Sequence, residues 1–382
     1  MSATAANTLT ANWAARLPGV QTVLSGAGVY PLLALLAQHA AGPARDELLA
    51  VAADPTRFDL AGSPTTRLAL GVWSRHDLPL TDRWLAAVPA SMRGQLTGDP
   101  SVDQPLLDRW ATDQTNGMIP TMPVAVNRGT LIVLASALVV LTTWADPFTE
   151  LRYEPQDGPW QGREVAGLRR RTFDLGALLV ADTPTGPVTL LTVRGSDDVD
   201  VVLALGVPEH GAGQVLPAAI TALTEGTGRD ATTASIAGPG ISEQIVTAPD
   251  DRPELSASTV RFTATSDHDL LRHAALFGLT SATDGSAGHF PGISPVPLVV
   301  SQARQSAVAT FSATGFKAAA VTAIAMRVGY AQPVETHRKR LVRADFDRPF
   351  GFVAVHRPTG LVLVAGWVTD PDAWNPPTMM TG

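Results

Sequence analysis

The stretch "FSATGFKAAAVTAIAM", residues 311–326, decides between two folds for this chain. Six of its sixteen residues are alanine, the residue with the highest helix propensity, so its composition alone favours a buried helix. At the two-residue period of a strand, however, one face carries no charge, and the glycine before it suits a hinge. The uncharged face consists of Phe316, Ala318, Ala320, Thr322, Ile324 and Met326. The stretch therefore also fits a strand with an inward face, able to slide between existing strands.

The composition predicts a folded protein with a large core. The chain has 382 residues, of which 45% are hydrophobic and 16% charged, below the roughly 25% charged residues of ordinary globular chains. The net charge is -7, and basic residues cluster only at residues 169–171 and 338–340, which we interpret as solvated turns. This charge pattern predicts no nucleic-acid partner. The chain contains no cysteine.

The longest apolar run, residues 131–141, is eleven residues long, whereas crossing a bilayer takes about 20. Its β-branched residues predict a central strand buried on both faces, and the sequence predicts no membrane segment. The N-terminus lacks the basic start and apolar core of a signal peptide, so we expect a cytoplasmic protein, with an extracellular location not excluded.

The spacing of apolar residues predicts an α+β fold. Helices are expected at 7–17, 29–40, 44–52, 102–115, 214–223 and 267–277. Strands are expected at 131–141, 187–193, 199–206, 259–265, 297–311, 349–356 and 361–368, the last two forming a hairpin.

The usual catalytic signatures are missing. The chain has no glycine-framed serine elbow, phosphate-binding loop, paired-histidine zinc helix or dinucleotide fingerprint, and its eight histidines never show ligand spacing. We therefore expect no enzyme, no metal and no cofactor. An unrelated α+β enzyme would need convergent polar residues in a pocket.

Five blocks, in the right order, make the chain resemble the serpin family over nearly its whole length. They are the hinge-like Gly315 with residues 318–322, "WATDQTNGMI" (110–119), "LIVLASALVVLTTWADPF" (131–148), "HFPGIS" (289–294), and "FDRPFGFVAV" with "TGLVLVAGWVTDP" near the C-terminus. The resemblance is to a divergent, bacterial-type member. It implies a single domain over residues 1–382, with three β-sheets, eight or nine helices and a reactive-centre loop at about 313–343.

The resemblance also implies a function and a partner. A serpin is a suicide inhibitor: a serine protease cuts the loop, and the loop enters the central sheet while the acyl-enzyme is trapped. The implied partner is thus a serine protease, the protein is expected to be a monomer, and no cofactor is needed. The hinge would consist of Gly315, Phe316, Ala318, Ala319, Ala320 and Thr322.

The family's usual spacing from Gly315 gives Gly329-Tyr330 as the reactive bond, although the 33 residues between Gly315 and Pro349 make the loop longer than is typical. Alternative reactive residues are Arg327, Met326 and Ala325, which would suit different proteases, because the residue before the cut sets the fit.

The departures from the family pattern leave a second function open. Phe316 stands where the family has a small residue, so its bulk should slow insertion unless Gly28 helps to form a hollow. In the region that the family calls the shutter and breach, the corresponding residues are Ser25, Gly28, Ser136, Trp144 and Gln305, and we expect a Ser136–Gln305 hydrogen bond. These changes favour the alternative of a non-inhibitory serpin that acts as a binding or structural protein.

Overall fold

The computed structural model describes residues 2–54, 58, 60, 63–156, 158–232, 235–316 and 337–375. In this part of the chain there are six α-helices: α1 (Ser2–Ala14), α2 (Gly26–His39), α3 (Gly42–Ala52), α4 (Asp82–Ala87), α5 (Pro100–Gln114) and α6 (Ala212–Glu225). Short 3₁₀ segments cover Ala90–Met92, Gly158–Trp160, Leu175–Ala177, Leu270–Phe277 and Ser281–Thr283.

Nineteen strands make up the sheets of the described residues. They are β1 (Thr22–Leu24), β2 (Thr66–Arg75), β3 (Arg93–Leu96), β4 (Ile132–Val140), β5 (Thr142–Thr143), β6 (Thr149–Tyr153), β7 (Val165–Thr172), β8 (Leu178–Thr183), β9 (Gly186–Arg194), β10 (Val199–Leu205), β11 (Arg229–Asp230), β12 (Ile241–Ala248), β13 (Glu254–Val260), β14 (Phe262–Asp269), β15 (Arg304–Phe311), β16 (Gly315–Phe316), β17 (His337–Asp345), β18 (Phe350–His356) and β19 (Leu361–Val368).

These strands form four hydrogen-bonded sheets. Their strand orders are β1-β19-β18-β10-β9-β8-β11, β12-β17-β13-β7-β6, β14-β15-β16-β5 and β3-β2-β4. The seven-stranded sheet forms the centre of the core: every residue of β10 and β19 is buried, and α1, α2 and α6 contact it. Helix α2 starts next to this sheet because the Ser25 hydroxyl caps it, accepting from the Gly28 amide while donating to the Leu363 carbonyl.

The α+β class and the C-terminal hairpin are confirmed. Strands β4, β9, β10, β18 and β19 and helices α1, α2, α3, α5 and α6 match the predicted elements within a few residues. The strand predicted at 297–311 is wrong before Arg304, and residues 267–277 end as a 3₁₀ segment after β14. The described helices are somewhat fewer than the eight or nine implied by the resemblance.

The two basic triplets are not turns, as the sequence suggested. Residues 169–171 lie in β7 and residues 338–340 in β17, two strands that flank β13 in the five-stranded sheet. The sequence missed these strands because their charged residues obscure the alternation of apolar and polar positions.

Candidate functional site

One sheet of the molecule is split lengthwise. Strand β5 follows β4 after Leu141 alone, yet β4 belongs to the three-stranded sheet and β5 to the four-stranded one. Within the four-stranded sheet, β16 pairs with β5 on one side and with β15 on the other. Beyond β16, no described residue pairs with β4 or β15 across the slot between them. Among the described residues, the facing edges of β4 and β15 are therefore not paired with each other.

The slot opens into a cavity of about 160 Å³. Its walls come from α2, α5, β4 and the segment around the start of β15, and they are mainly apolar. The prediction that residues 131–141 are buried on both faces is only half right. Val133 and Ala135 are buried against α5, whereas Leu134 and Ser136 on the other face are partly exposed.

The hinge turn closes the upper end of the slot. Phe311 and Phe316 face each other across it, and the Ser312 amide donates to the Gly315 carbonyl at 2.9 Å. Trp144 donates twice to the turn, from its amide to the Thr314 carbonyl at 3.0 Å and from Nε1 to the Ser312 carbonyl at 2.9 Å. The predicted breach residue Trp144 thus anchors the turn directly.

Gly315 is required by close backbone approach. A Cβ atom at this position would lie 2.3 Å from the Thr142 carbonyl oxygen and 3.1 Å from the Thr143 Cα atom. Any side chain would therefore push β16 away from β5.

Phe316 already lies in the sheet as part of β16, whereas we expected its bulk to slow insertion unless Gly28 helped to form a hollow. Its side chain is 2% exposed, and its ring centroid is 5.9 Å from that of Phe352 in β18. The hollow that holds it is not at Gly28. It lies beside Phe352, whose ring occupies space left open by Gly366, where a Cβ would be 2.5 Å from the ring.

A polar cluster lies at the lower part of the slot. Gln305 forms two hydrogen bonds of 2.9 Å with the Ser25 backbone, accepting from its amide and donating to its carbonyl. The Ser136 hydroxyl donates to the Gly28 carbonyl. The predicted Ser136–Gln305 bond is therefore wrong, because both side chains bind the start of α2 instead. Gly28 leaves room for them: a Cβ there would be 3.3 Å from Gln305 Nε2.

Sequence reasoning missed Arg170, the middle residue of the first basic triplet. It points inward from β7 and is 7% exposed. Its guanidinium donates to the Asp146 and Thr192 carbonyls and lies 4.9 Å from the Phe148 ring centroid. Burial lowers the pKa of this guanidinium. The Phe148 amide in turn donates to the Ala313 carbonyl of the hinge turn, so Arg170 supports the segment that anchors the turn. The one sequence feature that indicated burial of Arg170 was its place in the two-residue alternation of a strand, between Arg169 and Arg171.

The remaining predicted site residues lie outside the described residues. They are Ala318, Ala319, Ala320, Thr322, Ala325, Met326, Arg327, Gly329 and Tyr330. Both ends of the loop predicted at 313–343 lie in sheets, since β16 covers Gly315 and Phe316 and β17 begins at His337.

The described residues contain no group of histidine and acidic side chains that could hold a metal ion. In the same part of the chain, no helix is long and apolar enough to span a membrane.

The fold is therefore of the α+β class, with β4 and β5 assigned to different sheets and β16 paired between β5 and β15. The family model for Serpin (serine protease inhibitor) matches residues 244–371. Serpin-Z2A from Oryza sativa subsp. japonica is 24% identical to this chain, over 91% of each sequence. Putative serpin-Z12 from the same organism is 30% identical over 34% of this chain and 35% of its own length.

Solved serpin structures share the fold. A cleaved Serpin 42Da has a TM-score of 0.71 at 16% identity, covering 98% of this chain and 97% of that one. Native protease nexin-1 with heparin has a TM-score of 0.68 at 17% identity, covering 97% and 98%. The family model and the curated relatives support membership of the serpin family, and the solved structures show that this chain has the serpin fold. Family membership supports a protease-inhibitor role in general, and serpins are generally inhibitors rather than enzymes. The bacterial type, the monomeric state and the cytoplasmic location stay predictions.

Proposed function

We propose that this protein is a suicide inhibitor of a serine protease, which it traps by inserting its cleaved loop into the slot between β4 and β15. The observation that carries the proposal is β16, the first two residues of the new strand, already paired on both sides. Insertion would then extend an existing strand and need not start a new one.

The observed registers extend to the proposed strand. Phe316 pairs with Thr142 and with Phe311, antiparallel in both cases. Continued without a bulge, these pairings place Thr322 between Ser136 and Gln305. Alternate residues of a strand share a face, so Thr322 would face inward as Phe316 does. Its hydroxyl could then join the polar cluster.

Extended in the same way, the registers would bring larger side chains to the cavity. Ile324 would lie between Leu134 and Ala303, and both of these residues line the cavity of about 160 Å³. Met326 would lie one pair further, beside Ile132. In this register the alanines would lie nearer to β16 and Ile324 would lie opposite the cavity, which supports the proposal.

The proposed chemistry uses the protease's own mechanism. The protease serine attacks the carbonyl of the residue before the cut, the peptide bond breaks, and the new amine leaves with the segment that continues into β17. The resulting acyl-enzyme would be carried along the sheet as the loop inserts. From Phe316 to Gly329 is 13 residues, which as a strand span about 40 Å. A strand of ten residues contributes on the order of 10 kcal/mol, at about 1 kcal/mol net per hydrogen bond plus its apolar face.

The test is a gel. The full protein is mixed with trypsin, chymotrypsin, pancreatic elastase and subtilisin, and an SDS-stable complex is expected with at least one of them. Peptide mapping of the released C-terminal segment then distinguishes the Gly329-Tyr330 bond from cuts after Arg327, Met326 or Ala325. Cleavage without complex in every case would contradict the inhibitory mechanism.

A matched pair of variants tests the register. Thr322→Arg would place a charge between Ser136 and Gln305 and should convert the protein into a substrate that is cut but forms no complex. Thr322→Val keeps the shape of the side chain and should still form the complex. Equal complex yields for both variants would mean that residue 322 does not enter the slot.

One observation favours the alternative of a non-inhibitory serpin. The buried Phe316 ring and its contact with Phe352 stabilise the hinge where it is, so the intact form has less to gain from insertion than one with a free hinge. A binding or structural role would be supported by clean cleavage with no complex and no gain in stability.

A further inference from the structure

The two basic triplets come together on one sheet. In the pairings of β13, Ser256 lies opposite both Arg171 in β7 and Arg343 in β17, while Ser258 lies opposite both Arg169 and Asp345. Residues in register on neighbouring strands point to the same side of a sheet. Arg169, Arg171 and Arg343 therefore share the outer face, opposite the buried Arg170.

The outer face carries more cations than it can neutralise. Glu254 is shared by Lys339, at 2.5 Å, and Arg171, at 3.4 Å. Arg169 and Arg343 are exposed, and neither forms an ion pair with another described residue. The nearby Asp345 is half-buried, and this burial raises the pKa of its carboxyl group, while the charges of Arg343 and Arg169 act in the opposite direction. Asp347 lines the same pocket as Arg169 and Arg343 and pairs with Arg348 at 3.2 Å. With this pair included, five cations against three carboxylates give a positive face on a chain whose net charge is -7.

An exposed aromatic ring borders these charges. Phe173, two residues beyond Arg171, is 45% exposed, and the Arg252 guanidinium stacks on its ring at 4.1 Å. Arginine and aromatic side chains are enriched among the residues that dominate the energy of protein interfaces. We call Arg169, Arg171, Phe173, Arg252, Lys339 and Arg343 the basic face.

The position of the basic face limits its partner. Strand β17 starts at His337, only eight residues after Gly329, and eight extended residues span at most about 28 Å. A protease that holds the loop near Gly329 is therefore within reach of the basic face.

We propose that the basic face binds an acidic surface beside the active site of the target protease and steers it to the loop. The inference rests on the proposed function, since it needs a protease that attacks this loop. Exposed charges act mainly on the rate at which two proteins associate. They raise this rate at low salt, and the effect is lost as salt screens the charges. The basic face thus selects proteases with an acidic rim, independently of the residue at the cut.

The experiment measures the second-order rate of attack on the loop by trypsin, chymotrypsin, pancreatic elastase and subtilisin at about 25 mM and about 300 mM NaCl. The test variant is Arg169→Gln/Arg343→Gln. The control is Arg45→Gln/Arg93→Gln, which removes the same charge from two exposed arginines on α3 and β3. Each protease is also used after amidation of its surface carboxylates.

For at least one protease, the wild-type rate should fall about tenfold with salt, and the test variant should be about five- to tenfold slower at low salt. Amidation should abolish the difference, while the control should match the wild type. Equal rates for the test variant with all four proteases would overturn the docking proposal alone, because complex formation would persist. Binding of dextran sulfate that depends on Arg169 and Arg343, without any effect on protease rates, would overturn it in favour of a polyanion site. No attack on the wild-type loop by any protease would overturn both proposals.

Discussion

The two ends of the slot are built from opposite kinds of contact. At the upper end, Phe311 stacks on Phe262 with ring centroids 5.5 Å apart, and Phe316 is buried against Phe352. At the lower end, Gln305 and Ser136 bind the backbone at the start of α2, and the strand position between them holds no described residue.

The difference shows that the two ends of the slot are stabilised by different interactions. Burial of a large aromatic side chain contributes about 1.5–3 kcal/mol, which is enough to hold the two residues of β16 in the sheet. The polar side chains at the lower end form their hydrogen bonds with the start of α2, and no described residue pairs with β4 and β15 there. Hydrophobic burial therefore holds β16 at the upper end of the slot, whereas the polar side chains at the lower end form hydrogen bonds with α2.

The largest expected effect on stability comes from insertion of the cleaved loop into the lower end of the slot. Cutting the loop within residues 325–332 should raise the unfolding midpoint by roughly 20 °C, because insertion contributes on the order of 10 kcal/mol. Calorimetry of intact and nicked protein measures this shift. Nicked Thr322→Arg is the control and should gain little. Midpoints that agree within a few degrees for the wild type would mean that the loop does not insert.

Emptying the upper end should have the next largest effect. Phe316→Ala removes a fully buried ring and should lower the free energy of unfolding of the intact protein by about 3–5 kcal/mol, measured by urea unfolding. Phe173→Ala, at an exposed ring, should change it by less than about 1 kcal/mol. If both variants lost the same amount, Phe316 would not be the side chain that closes the slot.

A smaller effect on stability is expected from adding a side chain at Gly315, where two strand backbones lie close together. In Gly315→Ala the new methyl group would meet the Thr142 carbonyl, and relieving that contact should cost about 1–3 kcal/mol. Limited proteolysis should then cut the hinge more readily. Gly19 has open space around it, so Gly19→Ala should change neither property. Unchanged proteolysis of Gly315→Ala would show that β16 tolerates the shift.

The smallest effect concerns protonation near the lower end. His268, opposite Gln305, donates from Nε2 to the Val23 carbonyl, and burial lowers its pKa from 6.5. Burial likewise lowers the pKa of His39. A histidine whose pKa is lowered in the folded state contributes its full stabilisation above pH 6.5, the pKa it has in the unfolded chain. This contribution is lost as the pH falls below that value.

The free energy of unfolding should therefore decrease between about pH 7.5 and 5.5, and His268→Gln should flatten the decrease. The exposed His76→Gln variant is the control. A decrease of the same size in His268→Gln and the wild type would exclude His268 as its source.

From the sequence alone, residues 311–326 and the order of the other blocks indicated the resemblance to serpins, the α+β class and the inward position of Phe316. Period-two spacing placed Phe316 on that face, because alternation along a strand is a local property. The buried strands β10 and β19 were equally readable, since their apolar runs reflect burial on both faces.

Only the tertiary structure decided what Phe316 and the polar residues contact. Phe316 is accommodated by Phe352 and Gly366, residues 36 and 50 positions further along the chain, so its bulk by itself could not show whether it was tolerated. The partners of Ser136 and Gln305 likewise depend on where α2 begins against β19. Sequence spacing fixes which side of an element a residue takes, whereas the space and hydrogen-bond partners on that side come from segments brought together only by folding.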